Sequence, residues 1–130
     1  MMDNIGSGKR VVVVDDSKTI RGMVSFILRD MGFEVIAAAD GQEALETLMT
    51  NKVTLIITDW NMPVMDGPTL VGEVRNKTVN KVTPILMVTT ENDQAKITQA
   101  RELGATGWIV KPFTPDKLKK VVEKICGAAL

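Results

Sequence analysis

The sequence contains no histidine among its 130 residues. This absence excludes a histidine general base, histidine metal ligands and phosphohistidine chemistry within the chain. Cysteine is almost absent too: Cys126 stands alone, so no disulfide can form inside the chain. Such sparse cysteine usage is typical of a reducing compartment, and we expect the protein to be cytoplasmic.

Net charge is also lacking, because 16 Lys and Arg residues balance 16 Asp and Glu residues. A nucleic-acid interface needs a net basic face, so we expect no nucleic-acid partner. No apolar run approaches the roughly 18 residues of a membrane span, so we expect no membrane partner either. The length favours one domain: residues 1–9 are predicted to be a flexible N-terminal tail and residues 10–127 the folded unit.

Short apolar stretches alternate with amphipathic helices along the chain. Strict alternation with short connections predicts an α/β fold, a five-stranded parallel sheet with helices on both faces. A flavodoxin-like (βα)5 arrangement would give the strand order 2-1-3-4-5. The predicted strands cover residues 10–14, 33–38, 53–58, 84–88 and 107–110.

Polar residues stand at the carboxyl ends of four predicted strands, and parallel strands share that edge of the sheet. Each residue alone has a simpler interpretation, such as a helix cap or a solvated charge. Together they predict one site, because independent accidents would have to place all of them at strand ends. These residues are Asp15 and Asp16 after strand one, Asp59 after strand three, Thr89 after strand four and Lys111 after strand five.

Three carboxylates held together repel one another unless a cation joins them. An oxygen site with few carboxylates and room for water suits Mg²⁺. Asp16 and Asp59 are the better ligand candidates; Asp15 could act through a water molecule, and the backbone carbonyl of Asn61 could reach the ion.

Lys111 would add a positive charge to this edge, and Thr89 would add a hydroxyl donor. Together they describe a pocket for a tetrahedral anion attached to Asp59. The Asp59 carboxylate would then be a nucleophile toward phosphorus and form an aspartyl phosphate.

At these residues the sequence resembles the receiver domains of two-component response regulators, and the resemblance runs from about residue 10 to residue 125. Because no output domain is attached, it is most similar to the stand-alone, CheY-like chemotaxis type. The motifs that carry the resemblance are VDDS at residues 14–17, TDWNMPVMDG at 58–67, VTTE at 88–91 and WIVKPF at 108–113.

The resemblance implies that a histidine kinase transfers phosphate to Asp59, with Mg²⁺ bound by Asp15, Asp16 and Asp59. Thr89 would sense the phosphate and Lys111 would bind it. The Lys111-Pro112 peptide would be cis. The resemblance also implies that the protein is a monomer. It would be a phosphoacceptor with self-catalysed phosphoryl transfer and slow autodephosphorylation, and not an enzyme. Phosphorylation would switch the face of the fourth helix, fifth strand and last helix for a downstream protein.

Three features bear on regulation and partners. Asn61 and Glu91 occupy the positions that tune dephosphorylation in the family. Trp108 stands where the family has a switching Tyr or Phe, and the sequence leaves open whether its larger ring stays outward or packs differently.

Family members often carry basic residues at the start of the fourth helix, where this chain has residues 92–94, Asn-Asp-Gln. The downstream partner is therefore the flagellar motor switch or, alternatively, a non-motor partner or a phosphorelay.

Two other function classes fit the fold less well. A flavodoxin-like cofactor binder would need a phosphate-cradling loop after strand one, where Asp15 and Asp16 would repel phosphate. A true aspartyl phosphatase would need a second acid two residues after the nucleophile, and that residue is Asn61.

Overall fold

The computed structural model of the protein describes residues 6–127. Within this range five strands alternate with five helices, as the pattern of apolar residues predicts. The elements are β1 (Arg10–Val14), α1 (Lys18–Asp30), β2 (Glu34–Ala38), α2 (Gly41–Leu48), β3 (Leu55–Thr58), α3 (Gly67–Lys77), β4 (Ile85–Thr89), α4 (Gln94–Leu103), β5 (Gly107–Val110) and α5 (Pro115–Gly127).

The strands form one parallel sheet in the order β2-β1-β3-β4-β5, which confirms the predicted fold class. The register brings the carboxyl ends of the inner strands to one edge. Val14 at the end of β1 pairs with Thr58 at the end of β3, and Thr89 at the end of β4 pairs with Val110. The residues that follow these strands therefore meet at the same edge of the sheet.

Helices cover both faces of the sheet because successive strand residues point to opposite sides. In β1, Val11 and Val13 pack under α1 and α5. Val12 and Val14 pack on the other face, under α2, α3 and α4. The inner strands are therefore buried on both sides and read as continuous apolar runs.

All five helices begin at the carboxyl edge with a side-chain cap. A short polar side chain at this position accepts a hydrogen bond from an otherwise unpaired backbone N–H of the first turn. These caps fix where the loops around the site turn into helices. The caps are Ser17 on Ile20 N, Asp40 on Glu43 N, Asp66 on Thr69 N, Asp93 on Ala95 N and Thr114 on Lys117 N.

The third strand is shorter than predicted. Residues 53–58 read as a continuous apolar run, but β3 begins at Leu55. Val53 is buried, yet its backbone N–H donates to the side-chain Oδ1 of Asn80 at 2.9 Å and not to a neighbouring strand. Hydropathy alone could not separate these two ways of burying a backbone group.

The structure describes part of the segment ahead of β1. Residues 1–5 lie outside the described residues, and the prediction of a flexible tail stays a prediction there. Gly6 donates its N–H to the carbonyl of Met31 at 3.0 Å, and Glu34 donates to the carbonyl of Lys9 at 2.9 Å. Residues 6–9 therefore pack on the fold ahead of β1.

Across residues 6–127, no helix combines the length and the apolar character needed to span a membrane.

Candidate functional site

Three carboxylates meet at the carboxyl edge of the sheet. Asp15, Asp16 and Asp59 each place one carboxylate oxygen within 4.8 Å of the others. They come together because β1 and β3 are neighbours in the sheet and each acid directly follows its strand. Asp15 and Asp59 are buried, at 4% and 9% exposed, whereas Asp16 faces solvent.

Lys111 joins two of these acids from the end of β5. Its Nζ lies 2.8 Å from Asp15 Oδ2 and 3.1 Å from Asp59 Oδ2. Burial of the lysine by itself would lower its pKa, but hydrogen bonds and attraction from Asp15 and Asp59 outweigh burial, so the pKa is raised. Lys111 is therefore a fixed positive charge beside the Asp59 carboxylate.

The loop after β3 holds Asp59 through its backbone. The N–H of Trp60 donates to Asp59 Oδ1 at 2.6 Å. The N–H of Gly67 donates to the carbonyl of Trp60 at 2.8 Å, which draws the start of α3 against this segment. A side chain at Gly67 would collide with the carbonyl of Asp59. The loop thus needs glycine at residue 67 for close approach, a requirement that the motif at residues 58–67 did not by itself indicate.

Asp15 is fixed by the first turn of α1. Its Oδ1 accepts from the N–H of Ser17 at 2.9 Å, and its carbonyl accepts from Arg21 Nη1 at 2.7 Å. Sequence reasoning did not single out Arg21, since a helical arginine six residues after an acid carries no recognisable pattern. With both of its oxygens engaged, Asp15 is less free than the exposed Asp16.

An open cleft of about 440 Å³ lies beside the acids. It is large enough for several water molecules together with a small ion. Its lining combines polar groups with the apolar loop after β3. The lining residues are Asp16, Asn61, Met62, Pro63 and Asp66.

Thr89 ends β4 on the other side of Asp59 and is fully buried. Its Oγ1 accepts from the N–H of Glu91 at 3.3 Å. Its carbonyl accepts from the backbone N–H of Lys111 at 2.8 Å, whereas within residues 6–127 its hydroxyl makes no hydrogen bond to the acids or to Lys111. The structure thus clusters the three acids and pairs Lys111 with Asp15 and Asp59, while Thr89 is joined to Lys111 through the backbone alone within the described residues.

Glu91 bridges the two loops that flank the site. Its Oε2 accepts from Asn61 Nδ2 at 2.8 Å, and its Oε1 pairs with Lys96 Nζ at 2.8 Å. Hydrogen bonds from Lys96 and then from Asn61 lower the pKa of the Glu91 carboxyl. The sequence singled out Asn61 and Glu91 but not Lys96, which looks like any other lysine of a solvated helix.

Trp108 packs against the loop that carries Asp59. Its ring centroid lies 5.5 Å from that of Trp60, with the planes inclined by 55°. Its Nε1–H donates to the carbonyl of Glu91 at 2.9 Å. This arrangement answers the question that the sequence left open, because the larger ring is half-buried with a partner for its N–H. The Lys111-Pro112 peptide is cis, as the resemblance implies.

The donor set fits a hard divalent cation. Carboxylate oxygens with adjoining space for water are the ligands that Mg²⁺ prefers. The clustered oxygens of Asp15, Asp16 and Asp59 satisfy that preference, and no histidine or accessible thiolate competes. Among the described residues, Lys111 is the one that forms salt bridges with these acids, through Asp15 and Asp59.

Comparison with known proteins gives a consistent result. The family model of the response regulator receiver domain matches residues 11–123. Chemotaxis protein CheY1 of Helicobacter pylori is 44% identical over 120 residues, covering 91% of this chain and 97% of that protein. Chemotaxis protein CheY of Pseudomonas aeruginosa is 42% identical over 117 residues, covering 89% and 94%.

Solved structures agree with the sequence comparison. The high-resolution structure of the chemotaxis response regulator CheY4 of Vibrio cholerae superposes with a TM-score of 0.85 at 48% identity. It covers 90% of this chain and 98% of that one. The resemblance carried by the four sequence motifs is thereby confirmed.

Proposed function

Because the chain belongs to the response regulator receiver domain family, we propose that it is a two-component signalling protein that accepts a phosphoryl group on Asp59. One observation carries the proposal. The carboxylate of Asp59 ends a buried strand, contacts Lys111 at 3.1 Å and shares its surroundings with two further acids. A carboxylate so placed is a nucleophile with its charge partners already in position.

The donor would be a phosphohistidine of a histidine kinase, since this chain has no histidine of its own. A carboxylate oxygen of Asp59 attacks phosphorus, and the bond between phosphorus and the imidazole nitrogen breaks. The electron pair of that bond stays on the imidazole, which then takes up a proton. The products are an aspartyl phosphate and a neutral histidine.

Lys111 would stabilise the transferred group. Its ammonium lies beside both Asp15 and Asp59, so it can turn from a carboxylate to a phosphoryl oxygen with little movement. The hydroxyl of Thr89 would donate to a second phosphoryl oxygen. Its side chain already stands at the end of the neighbouring strand β4.

Mg²⁺ would be the cofactor, held by Asp16 and Asp59, by Asp15 through water and by the backbone carbonyl of Asn61. When bound, the ion supplies positive charge that offsets the negative charge of the acids and the phosphoryl group. The exposed Asp16 faces the 440 Å³ cleft, where coordinated water has room.

Loss of the phosphoryl group would be slow. Hydrolysis needs a water that attacks phosphorus and breaks the bond to the Asp59 oxygen. A fast phosphatase would have an acid two residues after the nucleophile, and here Asn61 has an amide that cannot transfer a proton at neutral pH. The protein would therefore act as a switch with self-catalysed transfer and not as an enzyme on external phosphoesters.

Phosphorylation would change the face made by α4, β5 and α5. Trp108 of β5 contacts both Trp60, next to Asp59, and Glu91, at the start of the loop that leads to α4. An apolar groove of about 470 Å³ lies on this face between β5 and α5, where Val121 and Ile125 line it. A downstream protein would bind there.

The similarity to chemotaxis proteins supports a role in chemotaxis, with the flagellar motor switch as the downstream partner. The alternative is a phosphorelay intermediate or a regulator of a non-motor partner. The residues before α4, Asn92 and Asp93, favour the alternative because they bring no positive charge to the face.

Phosphoryl uptake tests the proposal. Wild type and Asp59→Asn are incubated with Mg²⁺ and acetyl phosphate, and the intact mass is followed. We expect one phosphoryl group on wild type and none on the variant. No uptake by wild type, or equal uptake by Asp59→Asn, would contradict the proposal.

Hydrogen exchange tests the output face. Rates are compared with and without Mg²⁺ and beryllofluoride, a stable mimic of the phosphoryl group. We expect changed exchange in α4, β5 and α5. A change confined to the loops around Asp59 would mean that this face does not respond.

A further inference from the structure

Glu91 has its two carboxylate oxygens held by different parts of the fold. Asn61, from the loop after β3, donates to Oε2 at 2.8 Å. Lys96, from the first turn of α4, contacts Oε1 at 2.8 Å. The carboxylate therefore links the loop that carries the candidate phosphoacceptor to the helix on the candidate output face.

The backbone of Glu91 is fixed independently of its side chain. Its N–H donates to Thr89 Oγ1 at 3.3 Å, and its carbonyl accepts from Trp108 Nε1 at 2.9 Å. The main chain is therefore anchored whichever way the side chain turns. The direction of the carboxylate depends on Asn61 and Lys96 alone among its contacts in residues 6–127.

Charge makes the contact with Lys96 important. The site already holds three acids against one lysine, Lys111. Glu91 adds a fourth carboxylate at the mouth of the site, beside Asn61, and Lys96 offsets the charge of Glu91. Without Lys96, an incoming phosphoryl donor would meet an uncompensated negative group in addition to the acids that bind the metal.

The size of the effect follows from exposure. The side chains of Lys96 and Glu91 are 38% and 26% exposed, so solvent screens their attraction. Pairs of this kind contribute little to folding, but the same small energies change a rate by about 1.5- to 5-fold.

We propose that Lys96 is a positioning residue for phosphoryl transfer, which holds Glu91 against Asn61 and offsets its charge at the mouth of the site. The inference rests on the proposed function of Asp59. It adds a residue of α4 to those that set the rate of phosphoryl transfer, and this residue does not contact the phosphoryl group.

The test measures the rate of phosphorylation by acetyl phosphate in Mg²⁺ for wild type, Lys96→Met, Lys96→Arg, Glu91→Gln and the double variant Lys96→Met/Glu91→Gln. We expect Lys96→Met to be about 1.5- to 5-fold slower than wild type. Lys96→Arg should keep the wild-type rate, since it keeps the charge and can donate to Glu91. The double variant should match Glu91→Gln, because Lys96 acts through that carboxylate.

Lys77→Met is the matched control. Lys77 also pairs with a glutamate, Glu73, at 2.8 Å on a helix surface, and its loss changes net charge equally. It lies in the last turn of α3, at the opposite end of the sheet, so the rate should stay at the wild-type value. High salt should shrink the effect of Lys96→Met, because screening weakens a charge effect and not a packing effect.

The outcomes separate this inference from the function on which it rests. If wild type is phosphorylated on Asp59 and Lys96→Met is equally fast, Lys96 has no such role. Lys96 also has no such role if Lys96→Met slows phosphorylation by the same factor in the wild-type background and in the Glu91→Gln background. If wild type takes up no phosphoryl group, both proposals are wrong.

Discussion

The indole ring of Trp108 lies 5.5 Å from that of Trp60, between ring centroids, and each residue is hydrogen-bonded to a different part of the site. The N–H of the Trp60 backbone donates to the Asp59 carboxylate. The indole N–H of Trp108 donates to the carbonyl of Glu91. We therefore propose that a change at Asp59 reaches β5 through this side-chain contact.

This contact leads to a prediction for fluorescence, because the chain has two tryptophans. Mg²⁺ with beryllofluoride should change the emission of wild type. Trp108→Phe should keep a response, since Trp60 still adjoins Asp59, and Trp60→Phe should lose most of it. A response that survives Trp60→Phe and disappears in Trp108→Phe would contradict the coupling through Trp60.

Lys111→Met should affect metal binding and phosphorylation in opposite directions. Lys111 competes with a cation for the carboxylates of Asp15 and Asp59, so its removal should tighten Mg²⁺ binding by roughly fivefold. The same change should slow phosphorylation by acetyl phosphate by about a hundredfold, because the transferred group loses its fixed positive charge.

Calorimetric titration with Mg²⁺ and the uptake rate measure these two effects. Lys119→Met is the control, since Lys119 pairs with Asp30 at 2.9 Å on the surface between α1 and α5. It should change neither quantity. Weaker Mg²⁺ binding in Lys111→Met would show that the lysine supports the cation site and does not compete with it.

Val64 should be a strained residue whose replacement stabilises the fold. Its φ is 69°, a left-handed value that a β-branched side chain rarely adopts, and the N–H of Met65 donates back to the carbonyl of Pro63 at 2.7 Å. Such strain costs about 1–3 kcal/mol, so Val64→Gly should stabilise the fold by about 1 kcal/mol after the entropy loss of glycine.

Val82→Gly is the matched control, and it should change the free energy of unfolding in the opposite direction. Val64 and Val82 are 79% and 81% exposed, so neither loses much apolar burial. Val82 has no positive φ, so glycine should destabilise the fold there by about 0.5–1 kcal/mol. Urea unfolding of both variants measures the difference, and equal effects would mean that Val64 carries no strain.

Asn80 should be the polar side chain most important for stability at the amino end of the sheet. It is fully buried and accepts from Val53 N at 2.9 Å. It also donates to the carbonyls of Leu48 and Asn51 at 2.8 and 2.9 Å. Asn80→Ala leaves these backbone groups unpaired and should cost about 2–4 kcal/mol.

Asn76→Ala is the matched comparison, because Asn76 is exposed and makes one bond, to the carbonyl of Gly72. It should change the free energy of unfolding by less than about 0.5 kcal/mol. Thermal unfolding of both variants checks this contrast. A loss from Asn80→Ala as small as that from Asn76→Ala would mean that water replaces the missing amide.

Much of the fold was predictable because it rests on local patterns. Continuous apolar runs predicted the inner strands, and apolar residues at helical spacing predicted the helices between them. The strand order came from resemblance to flavodoxin-like folds, since periodicity does not order strands. The start of β3 was wrong because it depends on the Asn80 side chain, 27 residues away from Val53.

The site was predictable where it depends on topology. A parallel sheet gathers its carboxyl ends, so the meeting of Asp15, Asp59 and Lys111 follows from their positions after strands. Contacts between long side chains follow no such rule. Lys96 reaches Glu91 and Arg21 reaches Asp15 through rotamers and loop geometry that no spacing in the sequence encodes.

The identity of the phosphorylated carboxylate is the most direct test. Wild type is phosphorylated with acetyl phosphate in Mg²⁺ and treated with borohydride, which reduces an aspartyl phosphate to homoserine and marks its position for peptide sequencing by mass spectrometry. We expect homoserine at residue 59 and none when Mg²⁺ is removed. Homoserine at residue 15 or 16, or at no residue, would contradict Asp59 as the phosphoacceptor.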